Sequence, residues 1–139
     1  MNDTTRSKMI SCEFFPPRTE AGVEKLLATQ QALDVTVKPA YYSVTFGAGG
    51  TTRDRTLEVV KLLLANGDNI VPHISCIGSS KQQISDLLQQ YISLGVDRLV
   101  TLRGDTPEDG DSTGELSYAS ELVSYIRETT GNHYKIEVA

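Results

Sequence analysis

Apolar positions recur along this chain with two alternating periods. Short dense runs suit strands, and the longer stretches between them carry the three-and-four spacing of a helix face. The first dense run covers residues 9–15 and is closed by Pro16-Pro17. From about Thr19 onward, Val23, Leu26, Leu27 and Leu33 mark one side of a helix. A second run, 40–46, passes into Gly47-Ala48-Gly49-Gly50. Thr51, with Asp54 three residues on, then reads as a helix start. Leu57, Val60 and Leu64 carry that helix's face, and Gly67 ends it. The third run is 70–77. Pro72 cannot donate to a ladder, so pairing is expected to begin effectively at His73. Ser80 with Gln83 spells a capping box, and Ile84, Leu87, Leu88, Tyr91 and Ile92 follow as a helical stripe. Gly95 stops it, and 97–102 is the fourth strand. The polar stretch 107–114 reads as a solvated, mobile loop. Ala119, Leu122, Val123 and Ile126 mark a fourth helix, Gly131 ends it, and 134–139 is a fifth strand.

The predicted order is β-α-β-α-β-α-β-α-β, which requires crossover connections and a parallel sheet. Two architectures fit, an open doubly wound sheet and a (β/α)8 barrel. A complete barrel takes about 250 residues, and these 139 supply four βα units and a fifth strand. Residues 1–8 are polar and read as a flexible N-terminus, with 9–139 as the folded unit.

The net charge is −5. An acidic chain lacks the field that neutralises phosphates, which argues against nucleic acid and against an anionic membrane. No apolar stretch approaches the roughly 18 residues of a membrane span, and the first residues hold no secretory apolar core. Cys12 and Cys76 form neither a redox pair nor a zinc motif. They read as buried free thiols, which places the chain in the cytoplasm.

Candidate chemistry gathers at the expected carboxyl ends of the strands, where parallel α/β folds hold their sites. In order these ends carry Glu13, Thr45, His73 and then Arg103-Gly104-Asp105. Glu13, set against Phe14-Phe15-Pro16-Pro17, is expected to be desolvated and so raised toward the range of a general acid. A strand-end salt bridge to Arg18 or Arg103 is the plainer alternative. Gly47-Ala48-Gly49-Gly50 invites a phosphate reading, but it lacks the dinucleotide spacing and the P-loop lysine. His73 has no companion at metal-site spacing, so no metal is assigned. Tyr118 reads either as a ring for a ligand or as an exposed helix-start residue.

Four stretches taken together resemble methylenetetrahydrofolate reductase. They are Ser11-Cys12-Glu13-Phe14-Phe15-Pro16-Pro17-Arg18-Thr19, Ser43-Val44-Thr45-Phe46-Gly47-Ala48-Gly49-Gly50, Pro72-His73-Ile74-Ser75-Cys76-Ile77-Gly78 and Leu102-Arg103-Gly104-Asp105. Tyr118-Ala119-Ser120-Glu121-Leu122-Val123 adds a further match. The resemblance implies an α/β fold of the (β/α)8 TIM barrel type that binds FAD, of which this chain is the N-terminal half. It implies that NAD(P)H reduces the flavin, and that a hydride then converts 5,10-methylenetetrahydrofolate to 5-methyltetrahydrofolate in one-carbon metabolism and methionine biosynthesis.

Carried over by position, Glu13 matches the general acid and Asp105 the carboxylate beside flavin and pterin. Thr45, His73, Leu102, Arg103, Gly104, Asp105, Tyr118 and Ala119 match cofactor-binding positions. The resemblance also implies self-association. The family continues past its fifth strand with an Ala-Tyr-Pro-Glu stretch and three more βα units, so the chain is expected to be a fragment. A non-catalytic half-barrel that binds partners through open sheet edges is the alternative, and an unrelated aldolase-like or phosphate-binding barrel is a third.

Overall fold

A computed structural model describes residues 8–46, 52–67, 69–105 and 114–139. The readings made above for residues 1–7, Gly47–Gly50, Thr51 and positions 107–113 fall outside the described residues.

Among the described residues nine elements alternate as the apolar periods require: β1 (Ser11–Phe14), α1 (Glu20–Thr36), β2 (Tyr41–Val44), α2 (Thr52–Asn66), β3 (Ile70–Ser75), α3 (Lys81–Ser93), β4 (Arg98–Leu102), α4 (Ala119–Thr130) and β5 (Lys135–Val138). The strands pair in parallel in the order β1-β2-β3-β4-β5. That order decides between the two architectures. A doubly wound sheet reverses direction at a switch point. Here every crossover steps the same way, and right-handed crossovers then keep all four helices on one face.

The opposite face carries a second set of side chains. Phe14, Tyr42, Val44, Ile70, Ile74, Cys76 and Leu99 belong to the core beneath the helices. Glu13, Tyr41, Ser43, Val71, His73 and Arg98 alternate with them and turn the other way. The Arg98 guanidinium on β4 lies 5.1 Å above the Tyr41 ring on β2, and Glu13 on β1 lies 3.1 Å from His73 on β3. Next-but-one strands stand about 9.5 Å apart, so these side chains lean toward each other over the strand between them. Barrel interiors fill their layers from alternate strands in this way. The chain is a five-stranded arc of the TIM-barrel type.

Pro72 departs from expectation. The strand β3 pairs with β2 over Ile70, Val71 and Pro72, and with β4 only from His73 onward. The late start therefore holds on the β4 side alone. Among the described side chains of α2, Thr56, Val59, Val60 and Leu63 are buried, whereas Leu57 and Leu64 are half-buried. Apolar residues crowd this segment, so its period leaves the facing side ambiguous.

The capping box on α3 is present: Ser80 Oγ accepts from Gln83 N at 3.1 Å, and Gln83 Oε1 accepts from Ser80 N at 3.0 Å. Gln30, buried at 1% exposure, donates to the Leu63 carbonyl and links α1 to α2. Both cysteines are free, Cys76 buried and Cys12 partly exposed. Among the described residues no helix is long and apolar enough to cross a membrane.

Candidate active site

Parallel strands bring their carboxyl ends to one rim, and Glu13, Thr45, His73 and Leu102 all stand on it. Thr45 follows β2 directly. Its N–H donates to the Phe14 carbonyl at 3.0 Å, and its own carbonyl accepts from Thr56 Oγ1 at 3.0 Å. The end of β1 and the start of α2 thus hold Thr45 between them.

Glu13 and His73 meet across β2. Glu13 Oε1 lies 3.1 Å from His73 Nε2, off the line of a hydrogen bond, so that buried nitrogen has no aligned partner. Burial lowers the His73 pKa from 6.5, and the Glu13 carboxylate offsets this only in part. The imidazole is neutral at pH 7, and the contact is not a salt bridge.

The desolvated Glu13 expected from its neighbours is corrected here, because its side chain is 51% exposed. Strand alternation is the reason. Phe14 turns to the helix face and stacks on Tyr42, and Phe15 is itself 75% exposed.

On the other side of the rim, β4 ends in a turn tied to β3. Cys76 N donates to the Leu102 carbonyl at 3.3 Å and Ile77 N to the Arg103 carbonyl at 3.0 Å. The Cys76 thiol donates to that same Arg103 carbonyl at 3.4 Å. Gly104 takes φ +86°, and a side chain there would start 3.0 Å from Ser75 Cβ. The backbone at Gly104 therefore lies against β3, and Arg103 and Asp105 on either side of it are exposed.

Tyr118 and Ala119 sit apart at the start of α4. Tyr118 is 61% exposed and its side chain makes no cap hydrogen bond. The structure thus joins Glu13 to His73 and Gly104 to Ser75. The sequence reading took Cys76 only as a buried thiol and gave Ser75 no site role, because their contacts with the β4 turn depend on residues distant in sequence. Among the described residues no group of three His, Cys, Asp or Glu could hold a metal ion. A hollow of about 120 Å³ lies at the opposite strand ends, lined by residues such as Met9, Tyr41, Arg98 and Lys135, and shares no residue with the rim set.

The family model described as methylenetetrahydrofolate reductase matches residues 1–139. This chain belongs to the methylenetetrahydrofolate reductase family. A 5,10-methylenetetrahydrofolate reductase of Pectobacterium carotovorum is 38% identical over 120 residues, covering 86% of this chain and 39% of the relative. That of Escherichia coli is 36% identical over 86% of this chain and 40% of the relative. A plant member, methylenetetrahydrofolate reductase (NADH) 1 of Arabidopsis thaliana, is 35% identical over 93% of this chain and 22% of its own length. The chain thus spans about two fifths of the bacterial methylenetetrahydrofolate reductases and about a fifth of the plant one.

The burial of His73 has a consequence for stability. A histidine with a lowered folded pKa binds its proton more weakly in the native state than in the unfolded chain. Stability from this group is complete above the unfolded value, near 6.5, and is lost as pH falls below it. Urea midpoints measured across that range should decline toward acid, and His73→Gln should flatten the decline.

Proposed function

We propose that this chain supplies the acid-bearing strands of a flavin-dependent reductase that converts 5,10-methylenetetrahydrofolate to 5-methyltetrahydrofolate with NAD(P)H. The observation carrying this reading is the Glu13–His73 contact on the carboxyl rim. It comes in a chain of this family whose relatives are named for that reaction.

The residues present fit a flavin on two counts. The buried His73 Nε2 lacks an aligned partner, and the close-set Gly104 leaves backbone on the rim free of a side chain. Thr45, His73, Leu102, Arg103 and Gly104 would hold FAD, with Tyr118 and Ala119 beside it. FAD, when bound, would supply the relay of a hydride from NAD(P)H to the folate's one-carbon unit.

Glu13 has the proton task. Opening the five-membered folate ring breaks a C–N bond whose electrons go to nitrogen, and a proton delivered from the Glu13 carboxyl to that nitrogen completes the break. The carbon left as an iminium can then accept hydride and become the methyl group. A neutral His73 puts no positive charge beside that carboxyl. Asp105, exposed at the end of the β4 turn, would accept hydrogen bonds from the pterin and bear on the flavin's charge. Free Cys12 and Cys76 fit a reducing compartment, the cytoplasm.

A second reading rests on the sheet edges. Among the described residues β1 and β5 each have one paired neighbour, and Phe15 just after β1 and Val138 in β5 are 75% and 66% exposed. On that reading the chain binds partners by strand addition and does no chemistry.

The test uses the full-length protein carrying this sequence. The expected result is a yellow protein bleached by NAD(P)H without oxygen and recoloured by 5,10-methylenetetrahydrofolate. A protein that retains no flavin when FAD is supplied, or whose bleached form ignores the folate, would overturn the proposal.

A further inference from the structure

Both described ends of the β4–α4 connection dock on one turn, residues 76–81, between β3 and α3. At the near end, the Arg103 carbonyl accepts from Ile77 N at 3.0 Å and from the Cys76 thiol at 3.4 Å. At the far end, Gly114 lies so close that a Cβ would sit 2.9 Å from Gly78 N and 3.0 Å from the Cys76 carbonyl. Glu115 then grips the same turn twice. Its N–H donates to the Ser79 carbonyl at 3.3 Å, and its Oε2 accepts from Lys81 N at 2.6 Å.

This second grip is electrostatically favoured. Lys81 is the first residue of α3, where unpaired N–H groups and the helix dipole attract a carboxylate. The capping box engages the Ser80 and Gln83 N–H groups and leaves that of Lys81 to Glu115. The end of α3 is held further by Tyr125 on α4, whose hydroxyl donates to the Lys81 carbonyl at 3.0 Å. One turn therefore receives the carboxylate of Glu115 on one side and holds the carbonyl of Arg103 on the other.

We infer that Glu115 is a positioning residue for Arg103-Gly104-Asp105, acting through the 76–81 turn that holds both. The inference rests on the proposed role of Asp105 for its consequence in turnover, and on backbone geometry alone for the coupling itself. Loss of the carboxylate frees Lys81 N, loosens the turn, and lets the Arg103 carbonyl and the adjoining Asp105 drift. Glutamine keeps an acceptor oxygen at that place and should restore most of the effect.

Two measurements on the full-length protein carrying this sequence test this. In hydrogen exchange, Glu115→Ala should speed exchange at the Ile77 amide, which faces Arg103 and not Glu115, by roughly fivefold, and Glu115→Gln should not. An unchanged Ile77 rate in Glu115→Ala overturns the coupling, whatever the protein catalyses. In folate reduction, Glu115→Ala should lower kcat/KM roughly fivefold in the parent and much less in an Asp105→Asn background, because residues acting through one another are not additive. Equal losses in both backgrounds would assign Glu115 a general structural role and overturn the positioning. A parent without folate turnover, but with the Ile77 response intact, would reject the proposed reaction and leave the positioning of the turn supported.

Discussion

Glu13→Gln in the full-length protein should abolish most folate reduction while leaving flavin reduction by NAD(P)H intact. The substitution keeps size and hydrogen-bonding capacity and removes only the transferable proton. A positioned general acid contributes about 10²–10⁴-fold, so the folate half-reaction should fall by at least about 100-fold. The nicotinamide half-reaction moves a hydride and needs no proton at that folate nitrogen. Stopped-flow absorbance separates the two, by bleaching with NAD(P)H and then by recolouring with 5,10-methylenetetrahydrofolate. The outcome against Glu13 as the acid is an equal loss in both halves, which would make it a binding or folding residue. Because His73 lies 3.1 Å away and is held neutral by burial, Glu13→Gln should also spare the fold, since no ion pair is broken.

Gly104→Val is expected to damage stability and the site together. Two separate penalties apply. A β-branched residue at φ +86° is a strained outlier, worth about 1–3 kcal/mol. The new Cβ would also start 3.0 Å from Ser75 Cβ and 3.1 Å from Ser75 Oγ, an overpacking cost of typically 1–3 kcal/mol. Together they predict a loss of roughly 2–6 kcal/mol, read as a fall in the urea midpoint. Ser75→Gly as a second change separates the terms. It should return the part due to contact and none of the part due to backbone. Full recovery in the double variant would show that the left-handed conformation costs nothing there. A midpoint unmoved by Gly104→Val would show that the turn relaxes freely, contrary to its bonds with Cys76 and Ile77.

The strand-end residues were legible because parallel topology needs only order and period. Dense runs alternating with amphipathic stretches forced crossovers, and crossovers put Glu13, Thr45, His73 and Leu102 at one rim. Less could be read of what surrounds them. Glu13 looks shielded when its neighbours are read along the chain, yet strand alternation sends Phe14 behind the sheet and leaves Phe15 in solvent. The Glu13–His73 contact spans β2 and depends on which strands flank it and in what register, which no local pattern encodes. Glu115 carried no signal either. Its role comes from meeting Lys81, far away in sequence, at a helix end.

The sequence by itself determined the element order, the parallel sheet and the short list of groups able to do acid chemistry, since periodicity and residue type are local properties. Periodicity left a barrel arc and a doubly wound sheet both open; the family resemblance pointed to the barrel, and the strand order β1-β2-β3-β4-β5 bore that out. Only the tertiary structure decided which of the listed groups touch and which stand in water. Those outcomes turn on strand order and on contacts between distant residues, whose energies depend on where the backbone brings them in space.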